Sequence, residues 1–172
     1  MHINPYGRDP VRLAVDLVND PPGTLDALVA RCLAAGVTRD WEPEPADLPA
    51  VRAFLARWEE VVDAAPGAER ARPLNALLAE ATGPPRLTDH DGHWHLHHRD
   101  DGLGLAGVLR ALLATGTATH LATRGMDRLG RCAADGCTRV YADVSRGGRQ
   151  RYCSARCGNT DAVRRHRRRV AA

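Results

Sequence analysis

The 172-residue chain contains no lysine, so all 24 of its basic residues are arginine. Such a bias follows genome base composition as readily as function, so the arginine count alone says nothing about phosphate binding. Aromatic side chains are scarce, with three Trp, three Tyr and one Phe, and the core must therefore be built from Leu, Val and Ala. No unbroken apolar run approaches the ~20 residues of a membrane helix. The opening MHINPYGRDPVR has no basic stretch followed by an apolar one, as an export leader would. A cytoplasmic protein with no membrane partner is expected. A glycine-rich phosphate loop, a nucleophile elbow and a His-Glu-x-x-His helix are all missing. No catalytic residue is assigned, and a non-enzyme is expected.

What is present is unevenly distributed. From Arg124 onward there are 13 Arg against 4 Asp, whereas the preceding part has 11 Arg against 17 acidic residues. The overall charge of +3 thus hides an acidic body and a basic tail, an asymmetry expected of a nucleic-acid binder.

The basic part also holds four of the five cysteines. Cys132 and Cys137 are spaced C-x4-C, and Cys153 and Cys157 are spaced C-x3-C. Two close-spaced thiolate pairs on separate short elements suit a tetrahedral structural zinc ion. The metal would supply folding free energy that so short a segment lacks. Asp135-Gly136 marks a turn between the first pair, Thr138 to Tyr152 reads as a hairpin with its turn at 146–149, and Ser154 is placed to cap a helix over 155–170. Two disulfides are the competing arrangement, and they belong mainly to oxidising compartments. Cys32 stands apart and reads as a small core residue.

Upstream the pattern is mainly helical. Apolar spacing predicts a helix over 11–19 after Pro10, and a second after the cap Thr24 that stops at Gly36. A third is capped by Asp47 and runs to about residue 65, and a short fourth opens at Pro73. A strongly apolar helix from Leu105 ends near 115–117 or continues, bent, to Thr123. Between these last two, RLTDHDGHWHLHHR reads as a β-hairpin turning at Asp91-Gly92, with Trp94 and Leu96 facing inward and His93, His95 and His97 facing solvent. The expected fold is α+β: a helical domain with one hairpin over 1–125, then a four-cysteine module of knuckle, hairpin and basic helix over 126–172.

The run RCAADGCTRVYADVSRGGRQRYCSARCGN, with the Arg-rich segment after it, resembles the CGNR zinc finger of bacterial stress-induced transcription regulators. RLAVDLVND upstream is similar to the signature of the ABATE domain that precedes that finger. The name-giving motif here reads Cys157-Gly158-Asn159-Thr160, with Thr where the family usually has Arg. The resemblance implies one zinc ion per chain on Cys132, Cys137, Cys153 and Cys157, double-stranded DNA as the partner, and a small-molecule effector bound near Asp16 and Asn19.

The residues themselves point the same way for DNA. Arg156, Arg164, Arg165, Arg167 and Arg168 make the last helix basic, and Arg can both pair with phosphate and read guanine. Asn159 lies near the start of that helix, and Arg139, Arg146, Arg149 and Arg151 are placed to grip the flanking backbone. One helix reads few base pairs, so a homodimer is expected, although no heptad pattern identifies its surface. The alternative is a zinc-stabilised interaction module whose basic helix binds an acidic protein or RNA. Tyr141 and Tyr152 are the module's only aromatics, few for stacking on unpaired bases. A ligand near Asp16 is expected to act on the module through the helix that begins at Leu105.

Overall fold

The computed structural model describes residues 8–37, 41–89 and 94–170. In chain order these form α1 (Arg8–Asn19), α2 (Leu25–Ala34), α3 (Asp47–Asp63), α4 (Ala68–Ala81), β1 (Arg86–Thr88), β2 (His95–His97), α5 (Leu105–Arg124), β3 (Leu129–Arg131), β4 (Val140–Ala142) and α6 (Ala155–Val170). The fold is α+β, as the periodicities predict.

α5 is the element round which the others pack, with α1, α3 and α4 against it and α2 on α3. Leu105, Leu109 and Leu113 on α5 are fully buried, together with Val11 and Leu17 from α1 and Trp58 and Val61 from α3. Thr115, Gly116 and Thr117 neither end nor break the helix; all three are buried, and Gly116 and Thr117 each have a packing or hydrogen-bonding use. Gly116 lets α1 approach: a Cβ there would lie 2.3 Å from the Cβ of Pro10. Thr117 bonds back to the Leu113 carbonyl at 2.7 Å and accepts the Trp58 indole N–H at 2.9 Å. Among the described residues α5 is the one helix long and apolar enough to cross a membrane, and it is mostly buried. Counting unbroken apolar runs misses such a helix, since Thr, Gly and His interrupt it while facing the core.

Two polar residues organise the helix ends. Asp47 is buried and does not cap α3; its Oδ1 accepts the Ala106 N–H at 2.9 Å and so caps α5, whose N-cap residue is Gly104. Its Oδ2 accepts the Glu44 N–H at 2.7 Å. Arg70 is 3% exposed and gathers the carbonyls that end α3, donating to Val61 at 3.0 Å, Val62 at 3.0 Å and Ala64 at 2.8 Å, and also to Met126 just beyond α5. A buried guanidinium is tolerated here because the unsatisfied carbonyls of a helix C-terminus solvate it. Pro73 lies inside α4 rather than at its start.

β1 and β2 pair antiparallel, with Arg86 opposite His97, Leu87 opposite Leu96 and Thr88 opposite His95. The predicted turn, Asp91-Gly92, and His90 and His93 lie outside the described residues. The inward face is the reverse of the one expected. Trp94 is 72% exposed and Leu96 53%, while His95 and His97 are half-buried.

Candidate metal centre

α5 ends at Gly125, whose φ of +121° turns the chain toward β3. β3 pairs antiparallel with β4, Leu129 opposite Ala142 and Arg131 opposite Val140. This differs from the predicted hairpin over 138–152. The strand partner of 140–142 lies before the first cysteine pair, so the knuckle forms the hairpin's tip and residues 143–152 make a separate loop.

The hairpin is set firmly on the helical body. Leu129, Val140 and Ala142 belong to the same apolar cluster as α1, α3 and α5. Asn19 at the end of α1 treats Val140 as a strand would: its Nδ2 donates to the Val140 carbonyl at 2.9 Å, and its Oδ1 accepts the Val140 N–H at 2.8 Å. Arg131 donates to both carboxylate oxygens of Asp63, at 2.8 and 2.9 Å, and lies 3.0 Å from Glu59. The hydrogen bond from Arg131 holds Asp63 below the usual carboxylate range.

On this base the cysteines converge. The Cys132 N–H bonds to the Arg139 carbonyl at 2.8 Å, the Cys137 N–H to Ala134 at 3.0 Å, and Gly136 takes the positive φ, +75°, that closes the knuckle. Ala133 N–H bonds to the Arg151 carbonyl at 2.7 Å, which brings the second cysteine pair alongside. The intervening loop is pinned by Asp143, 1% exposed, which accepts from the Ser145 hydroxyl at 2.6 Å, the Ser145 N–H at 2.9 Å and the Gln150 N–H at 3.0 Å. Arg128 stands 3.4 Å from Asp143. Ser154 caps α6 by accepting the Cys157 N–H at 3.2 Å, which places Cys157 in the positive first turn of the helix. Tyr152 lays its ring beside Gly158 and donates its hydroxyl to Asp161 at 2.7 Å.

The four sulfurs all lie within 4.8 Å of one another. The separations are 3.8 Å for Cys137–Cys153, 3.6 Å for Cys153–Cys157 and 3.8 Å for Cys157–Cys137. A disulfide needs about 2.05 Å, whereas sulfurs about 2.3 Å from a tetrahedral zinc stand about 3.8 Å apart. The donor set therefore fits zinc and no disulfide is formed. Crowding makes the same point electrostatically. Burial first, and then the sulfurs of Cys157, Cys132 and Cys137, push the Cys153 thiol up to about 12, and a dication among the four sulfurs would favour its thiolate. Cys32 is fully buried in α2, far from this chemistry, and its burial likewise pushes it up to about 12.

Residues 128–170 match the CGNR zinc finger. No curated protein matches the chain. The four thiolates hold one structural zinc ion, which joins the docked knuckle to the first turn of α6. With all four positions taken by protein sulfur, such a site offers no open coordination position.

The arginines of the finger divide into two groups. Arg164 lies 3.7 Å from the Asp135 carboxylate, and Arg165 lies 3.2 Å from Asp161. Arg139, Arg146, Arg149, Arg151, Arg156, Arg167 and Arg168 are exposed and make no ion pair among the described residues, and Asn159 is exposed beside them. The ion pairs that α6 does make stay within the finger; none reaches an acid of the helical body among the described residues. One turn before Asn19 on α1, Asp16 is 60% exposed at the side chain and pairs with Arg31 at 3.2 Å. It lines an open groove of about 370 Å³ with Arg12, Leu13, Arg31 and Ala34. Asn19 does not line that groove, since its amide is taken up by Val140. Arg70, Arg128, Asp143 and Asp161 were not legible as site-builders, because nothing local in the sequence marks their distant partners.

Proposed function

We propose that the chain is a zinc-dependent, double-stranded-DNA-binding transcription regulator, with residues 1–125 as an ABATE-like sensing domain and 126–172 as the DNA-binding domain. The observation that carries this reading is α6. Every residue from 162 to 170 is exposed, five of them arginine, and Arg164 reaches back to Asp135 on the knuckle. A 16-residue helix is about 24 Å long, enough to lie in a major groove with Arg167 and Arg168 toward base edges. Arg139, Arg149 and Arg151, on the knuckle and loop side, would contact flanking phosphates.

The regulatory part of the proposal runs through α1. A small effector in the groove at Asp16 would bear on the helix that, one turn later, holds β4 through Asn19. α1 offers this route beside the expected one through α5, because it packs on both α5 and β4. An effector acts only if it binds the two arrangements of the finger unequally.

Selection of the zinc-loaded chain against a random duplex pool, followed by salt titration, tests the reading. An enriched motif is expected, with affinity that falls steeply with salt and is lost in Arg167→Ala/Arg168→Ala. Binding without enrichment would reduce the finger to a phosphate grip. No binding at all would refute the DNA reading in favour of an acidic protein partner.

A further inference from the structure

The one buried residue of α6 is an acid. Asp161 stands in the second turn of the helix, just before its run of arginines, and its side chain is only 11% exposed. A carboxylate at that place weakens the attraction of the helix for phosphate, and its contacts show what it does instead. The Tyr152 ring lies against Gly158, where a Cβ would meet it at 3.3 Å, and its hydroxyl donates to Asp161 Oδ2 at 2.7 Å. The same Oδ2 lies 3.2 Å from Nε of Arg165, one turn further along the helix. Tyr152 directly precedes Cys153, so Arg165 is tied through two short, braced groups to the metal-binding base of the finger.

This sets Arg165 apart from its neighbours. Its side chain is 52% exposed and makes no other ion pair or hydrogen bond among the described residues. With Nε turned toward the carboxylate, the two Nη groups form its free outer edge. That planar fork matches the O6 and N7 acceptors of guanine in a major groove. The adjacent carboxylate also repels a phosphate oxygen more than it repels a neutral base edge, which favours bases over backbone. Arg167 and Arg168 have no such brace, and Arg164 leans on Asp135, whose side chain is itself 68% exposed. An unbraced arginine must give up rotamer freedom to hold one geometry, whereas Arg165 is largely preorganised.

We propose that Arg165 is the guanine-reading residue of the finger, with Asp161 and Tyr152 as its positioning residues, so that the duplex selected by this chain carries a G·C pair opposite Arg165. The inference rests on the DNA reading above and adds the base that is read and the groups that aim the reader. The unbraced arginines then supply affinity and salt dependence, through contacts that position the helix without specifying a base.

The test compares the zinc-loaded natural chain with Arg165→Ala, Asp161→Asn and Tyr152→Phe. Each is measured on the duplex enriched by the natural chain, on that duplex with every G·C pair changed in turn, and on an unrelated duplex. The natural chain should lose about tenfold or more in affinity at one G·C position, and Arg165→Ala should no longer distinguish the pair there. Asp161→Asn and Tyr152→Phe should narrow the same ratio, while affinity for the unrelated duplex holds in Tyr152→Phe and rises in Asp161→Asn, which removes a negative charge near the phosphates. Damage to the fold would weaken binding to both duplexes together, so movement in opposite directions separates positioning from a structural role. Arg165→Ala alters an exposed side chain and still decides the matter if Asp161→Asn fails to fold. Unchanged discrimination at every position in Arg165→Ala would overturn the inference and leave the DNA reading standing, as would binding with no enriched motif. Unchanged discrimination in both Asp161→Asn and Tyr152→Phe would overturn their positioning role. No duplex binding at all would refute both readings.

Discussion

Removing the Asn19 amide should detach the zinc finger's base from the helical body. In Asn19→Ala, the Val140 N–H and C=O lose their partners at 2.8 and 2.9 Å. Val140 is fully buried, so water cannot replace them. Each stranded backbone group costs about 1–3 kcal/mol, and some relaxation of the end of α1 will recover part of this, leaving about 2–4 kcal/mol. Asn19→Asp should cost a similar amount, since the carboxylate can still accept from the Val140 N–H but sets an oxygen against the Val140 carbonyl. Asp16→Ala, one turn earlier on the same helix, removes only an exposed ion pair with Arg31 and should cost about 0–1 kcal/mol. Urea unfolding of the zinc-loaded variants measures these differences, and hydrogen exchange at Val140 locates them. If Asn19→Ala lies within about 0.5 kcal/mol of the parent chain, below the net worth of even one such bond, and the Val140 amide stays protected, the tether is not what holds the hairpin.

Two further outcomes follow from buried contacts. Burial by itself would raise the Asp143 pKa, but the Ser145 hydroxyl, the Gln150 and Ser145 N–H groups and Arg128 outweigh it and hold the carboxyl below its ordinary 3.8. The stability it provides is therefore complete above that ordinary value and is lost as pH falls through the lower, folded one. Asp143→Asn, which leaves Arg128 without its charge partner, should cost about 2–4 kcal/mol; acid titration followed by near-ultraviolet circular dichroism should show part of the low-pH transition missing in the variant. Gly116→Ala should lower stability although Ala favours helix, because the new methyl would meet Pro10 at 2.3 Å. Overpacking of this kind costs about 1–3 kcal/mol, and a melting temperature equal to or above that of the parent would show that α1 yields freely.

The features legible in the sequence are those whose cause is local. Cysteine spacing places the metal ligands, because four thiolates in two short-spaced pairs serve few other purposes. The Thr24 and Ser154 caps are read correctly, since a cap bonds within three residues: Thr24 accepts the Ala27 N–H at 3.2 Å and Ser154 that of Cys157 at the same distance. What could not be read has partners far along the chain. Asp47 looks like the cap of its own helix and instead caps α5, 59 residues away. Asn19 sits in a stretch suited to a ligand site, yet it serves a strand 121 residues distant. The hairpin partner of 140–142 was misplaced because three-residue strands carry too little alternation to declare a register. The outward face of β1–β2 was missed because the rule that puts apolar faces inward holds for a ribbon laid on the core, and two three-residue strands carry no signal of which face is laid there.

One zinc ion should make the finger, and with it the surface proposed to bind DNA, a single folded unit. The direct test is to titrate zinc into the metal-free full chain while following helix content and binding to a labelled duplex in the same sample. Both signals should rise together and saturate at one zinc per chain, and chelation should reverse both. Duplex binding that is already complete without metal, or that saturates at a different stoichiometry from the helix signal, would contradict the account.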